Sequence, residues 1–305
     1  MNDEYSILPK EAFAPLSDVA NNLINKISDA TGYVFTPKGK QKDRNDAVEY
    51  FIEKIKENNE MPDIVKAAAI SDARKIIKEY LNKNDILTIA LEYLSDDSKV
   101  SQLEDDWLDN FFDKAGRISN KDVQLIFSKI LAEECVKPGS ASKSLVNILS
   151  VMDSGSAESF RKLRNYVFLV KELETSKEEY LVVIPDVTDL KEMNVTFDDI
   201  MELTRLGLIE YLAFGEYNNN AKNAILSYAE KSVRVIVSNG TTIPTGTVNL
   251  TRVGQELASM LTLESPDYRY YNNIIKYWEA NDVKMIKIQK PVRKPESARR
   301  DSSRR

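Results

Sequence analysis

The stretch Thr196-Phe197-Asp198-Asp199-Ile200-Met201-Glu202-Leu203-Thr204-Arg205-Leu206-Gly207-Leu208-Ile209-Glu210-Tyr211-Leu212 turns from helix to strand within one short run. Thr196 with Asp199 three positions on reads as a capping box, which opens a helix by satisfying its first free N–H groups. The helix runs through Ile200, Met201, Leu203 and Leu206. Gly207 ends it, and Leu208 to Leu212 extends as a strand.

Downstream, Val233, Val235 and Val237 alternate, as do Val248 and Leu250, with the turn pair Asn239-Gly240 between them. That pattern predicts a two-stranded wing, in which Asn218-Asn219-Asn220 is a polar insertion. Leu250-Thr251-x-x-Gly254-x-Glu256-Leu257 then starts a helix. Helix, strand, wing and helix in this order make residues 176–262 a winged-helix-like α+β domain. Leu181 to Ile184, ahead of Pro185, gives it an earlier strand. Residues 263–305 read as a C-terminal helix and a basic tail.

Upstream the chain is helical. Over residues 1–100, apolar residues recur at helical spacing in four runs: Leu16 to Ala30, Val48 to Ile55, Ile64 to Tyr80, and Ile86 to Tyr93. Residues 101–175 are denser in aromatics. Leu103, Trp107, Leu108, Phe111, Phe112 and Ala115 form one stripe, and Val123, Phe127, Ile130 and Leu131 form another beyond the Gly116–Ser119 turn. Ser119 with Asp122 reads as a second capping box. Further helices carry Leu145 to Met152 and Phe160 to Val167. The fold class expected is mainly α: a helical N-terminal region followed by the winged-helix-like domain.

Composition narrows the chemistry. The 305 residues contain no histidine and one cysteine, Cys135. Ser-His-Asp and Cys-His catalysis, imidazole general bases and His- or thiolate-built metal clusters are therefore unavailable. No metal, cofactor or small-molecule substrate is expected, and the chain reads as a non-enzyme. An intrachain disulfide is impossible, no apolar run is long enough to span a bilayer, and Met1 to Tyr5 has no signal-peptide pattern, so a cytoplasmic location is expected. The net charge of −6 is unevenly spread. Lys284 to Arg305 holds nine Lys/Arg against two Asp/Glu, a balance of +7 that leaves about −13 on the rest.

Two stretches carry a resemblance. Asp105-Asp106-Trp107-Leu108-Asp109-Asn110-Phe111-Phe112-Asp113-Lys114-Ala115 leads through Ile118-Ser119, Gln124, Ile130-Leu131-Ala132-Glu133 and Pro138-Gly139-Ser140. With Leu23 to Ala30 it resembles an uncharacterised bacterial family related to the abortive infection alpha proteins. That likeness implies a role in phage defence and transfers no catalytic residue. Leu203-x-x-Leu206-Gly207-Leu208-Ile209 with Leu250-Thr251-x-x-Gly254 is similar to a wider set that includes multiple-antibiotic-resistance-type repressors.

Two acidic groups are candidate partner surfaces: Asp105, Asp106 and Asp109 in the first motif, and Asp198, Asp199 and Glu202 in the second. Acidic first turns also stabilise a helix by countering its dipole, so either group can be structural. Carboxylates on a recognition helix repel phosphates, which favours protein contact over DNA. The tail residues Lys290, Arg293, Lys294, Arg299, Arg300, Arg304 and Arg305 are the candidate contact for nucleic acid or another anionic surface. Pro185-Asp186 and Asp189-x-Lys191 superficially match a nuclease carboxylate set but lie too close together after one strand. Gly39-Lys40 lacks the Ser/Thr and the spacing of a phosphate loop. The function expected is a non-catalytic interaction component, a sensor or accessory protein of phage defence that binds a protein partner or a second copy. The alternative is a DNA-binding regulator using the winged helix and tail.

Overall fold

The computed structural model describes residues 17–36, 41–237 and 242–287; the side chains of 41–48, 187–189 and 287 are not described. In chain order the helices α1 (Asp18–Thr31), α2 (Gln41–Glu57), α3 (Asp63–Glu92), α4 (Asp105–Arg117), α5 (Lys121–Val136), α6 (Lys143–Ser150) and α7 (Ser154–Arg164) come first. They are followed by β1 (Val167–Glu172), β2 (Glu178–Val182), α8 (Phe197–Arg205), β3 (Ile209–Tyr211), β4 (Tyr217–Asn219), β5 (Asn223–Tyr228) and β6 (Lys231–Ile236). The chain closes with β7 (Ile243–Gly246), β8 (Val248–Leu250), α9 (Arg252–Met260), α10 (Tyr268–Ala280) and β9 (Lys284–Lys287). This is a mixed α+β protein whose strands lie in the C-terminal half. No helix among the described residues is long and apolar enough to cross a membrane.

The chain forms two compact units. The first takes residues 1–162, 195–210 and 250–262. Its core is the expected aromatic stripe. Trp107 stacks on Phe111 at 5.0 Å, and Phe111 meets Phe127 at 5.3 Å, across the turn between α4 and α5. The Trp107 indole N–H donates to the Ala141 carbonyl at 2.7 Å, so this buried polar atom is satisfied. A buried amide layer ties α3 to the same turn: Asn82 donates to Gly116 O at 2.8 Å, and Gln124 donates to Asn82 Oδ1 at 3.2 Å and to Ile118 O at 2.8 Å.

Several boundaries differ from the sequence reading. The third and fourth helices are one, because α3 runs unbroken through thirty residues. The cap of α5 is Asn120, which accepts from the N–H groups of Asp122 and Val123; Ser119 instead meets the Asn82 amide. The Phe160 helix stops at Arg164, and Val167 begins β1.

The second unit takes residues 163–194, 211–249 and 263–305. Its antiparallel sheet has the order β2-β1-β5-β6-β9. Alternating burial along β5 marks a sheet with one face on a core. That core is aromatic: Tyr228, Tyr270, Tyr271 and Trp278 lie at centroid distances of 5.0–6.1 Å from Phe168. Trp278 Nε1 donates to Pro244 O at 2.8 Å.

The expected wing is not formed. Val233 and Val235 lie in β6, which pairs with β5 and β9, whereas β8 pairs with β3. Asn218 and Asn219 are not an insertion but lie in β4, which pairs with β7. A local turn signal could not reveal this, because the partners of β7, β8 and β9, which are β4, β3 and β6, are distant in sequence. Asn239-Gly240 and Gly39-Lys40 lie outside the described residues.

Candidate interaction surface

The two acidic helix starts have different fates. On α4, Asp105, Asp106 and Asp109 are all exposed. Asp105 pairs with Lys26 at 2.5 Å and Asp106 with Lys143 at 3.7 Å, while Asp109 joins no ion pair among the described residues. Behind them Trp107, Leu108, Phe111 and Phe112 are buried. The tryptophan of the motif is therefore core and only its aspartates are surface.

On α8 the carboxylates turn inward. Asp199 closes the capping box with Thr196 and also accepts from the Ser159 hydroxyl at 2.5 Å, with Lys162 at 3.9 Å. Burial pushes the Asp199 carboxyl up, but Ser159 and the Thr196 N–H and hydroxyl outweigh it and hold it below the usual carboxylate range. Glu202 accepts from Ser156 at 3.1 Å and from Arg205 at 2.5 Å. Asp199 and Glu202 thus fix α7 and α8 together, and Asp198 remains exposed. The outer face of α8 reads Phe197, Asp198, Met201 and Arg205, all exposed. Met201 faces out because α8 packs on the Ile200–Leu203 side.

Gly207 and Gly254 explain the second motif. Gly207 ends α8 with φ +73°, a backbone state that glycine adopts without strain. A Cβ on Gly254 would lie 2.0 Å from the Leu208 carbonyl oxygen. Thr251 caps α9 through the Gly254 N–H and also donates to Gly207 O at 2.7 Å. The motif is a close crossing of two chain segments, a packing device with no chemistry of its own.

The Glu133–Ser140 segment is also structural. Glu134 is a buried carboxylate that accepts from Gly139 N at 2.5 Å, Ser140 Oγ at 3.0 Å and Ala141 N at 2.8 Å. Cys135 is buried, and desolvation pushes its thiol up to about 12, far from the thiolate that nucleophilic chemistry needs.

In the second unit a groove of about 790 Å³ runs along α10, with Arg269, Asn272, Asn273 and Lys276 on one wall and Pro185, Glu192 and Met193 among the others. Asp186 is exposed, and the side chain of Asp189 is outside the described residues. Among the described residues no three His, Cys, Asp or Glu side chains gather as metal ligands. The tail residues Lys290, Arg293, Lys294, Arg299, Arg300, Arg304 and Arg305 also lie outside the described residues.

By its architecture this is an α+β protein of two units, a helical one and one built on an antiparallel sheet. Residues 72–275 match the DUF2806 family, described as proteins of unknown function, and the chain belongs to that family. The match takes in α4, α5, α8 and α9, and leaves α1 and α2 outside it. No curated protein and no solved structure matches the chain.

Proposed function

We propose that this protein is a non-catalytic interaction component that docks a protein partner through α8, and that it serves bacterial phage defence as a sensor or accessory protein. The observation that carries the docking is the outer face of α8. Phe197 and Met201 stand exposed one turn apart, and the only cation on that face, Arg205, is paired with Glu202. Apolar anchors ringed by polar groups suit a protein surface. A helix that reads DNA needs free cations or amides aimed at phosphates and base edges. The setting rests on the resemblance of the Asp105–Ala115 motif to relatives of the abortive infection alpha proteins.

The second reading is a DNA-binding regulator. It is favoured by the charge of the tail, where Lys284 to Arg305 holds nine Lys/Arg against two Asp/Glu.

Both are tested together. Expression in a phage-challenged bacterium is expected to lower plaque counts at least about tenfold, and Phe197→Asp with Met201→Asp to abolish this while the purified variant keeps its circular dichroism spectrum. Duplex DNA binding, read by fluorescence anisotropy, is expected to be weak and to vanish with its salt dependence on truncation after Gln289, each lost phosphate contact flattening the log–log salt slope by roughly 0.9. Unchanged protection by the double variant, or a base preference lost in Arg205→Ala, overturns the docking reading.

A further inference from the structure

The five-stranded sheet of the second unit has two unlike faces. Phe168, Tyr228 and their aromatic neighbours on α10 close the inner one. The outer one follows from the register, because residues paired across antiparallel strands point to the same side. One row across it reads Tyr180, Leu169, Ser227 and Ser232, and the next Glu178, Lys171, Ile225, Arg234 and Ile286. The third reads Asn223, Ile236 and Lys284. This face is open: Ile236 is 41% exposed and Ile286 55%, with Lys171 and Lys284 also exposed.

Its charge has one sign. Lys171, Arg234 and Lys284 are cations, and the one carboxylate in these rows, Glu178, is held by Lys171 at 2.9 Å. Arg234 bonds through Nε to the neutral Asn223 amide oxygen at 3.1 Å. At the edge of the face the Arg164 guanidinium lies 5.3 Å from the centre of the Tyr180 ring. These cations stand on a chain whose residues before Lys284 carry about −13. The sequence next to the face does not supply their complement. Ser238 to Thr241 is uncharged, and Ile288 to Arg305, which follows β9, holds seven Lys/Arg against two Asp/Glu.

We propose that this outer sheet face binds single-stranded nucleic acid. A polyanion satisfies the cations of the face and of the sequence that continues from β9 together. An acidic protein matches the charge alone, whereas the Tyr180–Arg164 pair adds a ring and a guanidinium plane on which a base stacks. The aliphatic Ile225, Ile236 and Ile286 give the other bases an apolar floor. Shape favours a single strand over a duplex. Five strands at about 4.8 Å spacing make a surface about 19 Å wide, too broad for a duplex major groove of about 12 Å, whereas splayed bases lie flat on a sheet. The proposal rests on the sheet alone and stands apart from the docking through α8 and from duplex binding by the tail.

The experiment is fluorescence anisotropy with a labelled oligo-dT of about 20 nucleotides and the full chain at about 50 mM salt, where phosphate contacts are strong. Micromolar binding is expected, tighter than to the dT·dA duplex of the same length. Arg234→Glu with Lys284→Glu should weaken it at least about tenfold and flatten the log–log salt slope by about 1.4, two single-strand phosphate contacts at roughly 0.7 each. Tyr180→Ala should weaken it about tenfold, and Tyr180→Phe, which keeps the ring, should leave it unchanged. None of these side chains lies in the core, so each variant is expected to keep its circular dichroism spectrum. A wild type that does not bind the strand overturns the proposal, as does one that binds the duplex equally well. Unchanged affinity and salt slope in Arg234→Glu with Lys284→Glu also overturn it, by assigning the binding to the tail.

Discussion

Helices α4 and α8 begin alike, each with two consecutive aspartates ahead of an apolar stripe, and end differently. The α4 carboxylates face solvent and long lysines, where ion pairs contribute little. On α8, Asp199 and the following Glu202 are held by serines of α7. What differs is the neighbour. Ser156 and Ser159 lie one turn apart on α7 and offer hydroxyls to α8, whereas the residues near the start of α4 offer flexible amines. An acidic helix start is thus a dipole device in one place and a fastening between helices in the other.

Four substitutions test this contrast and the cores behind it. Trp107→Ala should cost about 3–5 kcal/mol in chemical denaturation, because it empties a packed indole site and strands the Ala141 carbonyl. A shift under about 1 kcal/mol would put the indole outside the core. Gly254→Ala should cost about 2–3 kcal/mol, since the added methyl meets the Leu208 carbonyl and backbone must move. A variant as stable as the parent would mean the crossing is loose.

Asp199→Asn should cost about 1 kcal/mol as a lost cap and side-chain bond. Its pH dependence has a definite sign. The folded carboxyl titrates below its ordinary value of 3.8, so its stabilisation is complete above that value and is lost as the pH falls through the folded one. The gap between parent and variant should therefore close in acid; a constant gap from neutral to acid pH would break the assignment. Asp105→Asn, Asp106→Asn and Asp109→Asn should each stay within about 0.5 kcal/mol, as exposed surface charges do. If any of them matched Asp199→Asn, the two helix starts would not differ as described.

The helical unit was legible because its signals are local. The spacing of Trp107, Phe111 and Phe127 names a core, and Thr196 with Asp199 names a cap that the structure forms. The sheet was not legible, since β6 finds β9 nearly fifty residues later and its pairing leaves no local mark. Asn239-Gly240 pointed to the nearest strand pair instead. At the candidate surface, sequence identified the acidic residues but not their direction. Asp198 and Asp199 are adjacent, yet helical rotation leaves one exposed and brings the other to Ser159. Phe197 and Met201, four apart on α8, were a readable sign of an apolar outer edge. They were passed over because apolar residues at helical spacing usually point to a core.

The buried thiol of Cys135 has a practical corollary for spectroscopy. With its proton held up to about 12, it reacts too slowly with maleimides near neutral pH to compete with a surface thiol. A cysteine placed at an exposed position such as Ile64 or Ser71 would then be the one reactive thiol on the chain. Spin labels or fluorophores can be attached there without removing Cys135, leaving the packing of α5 intact.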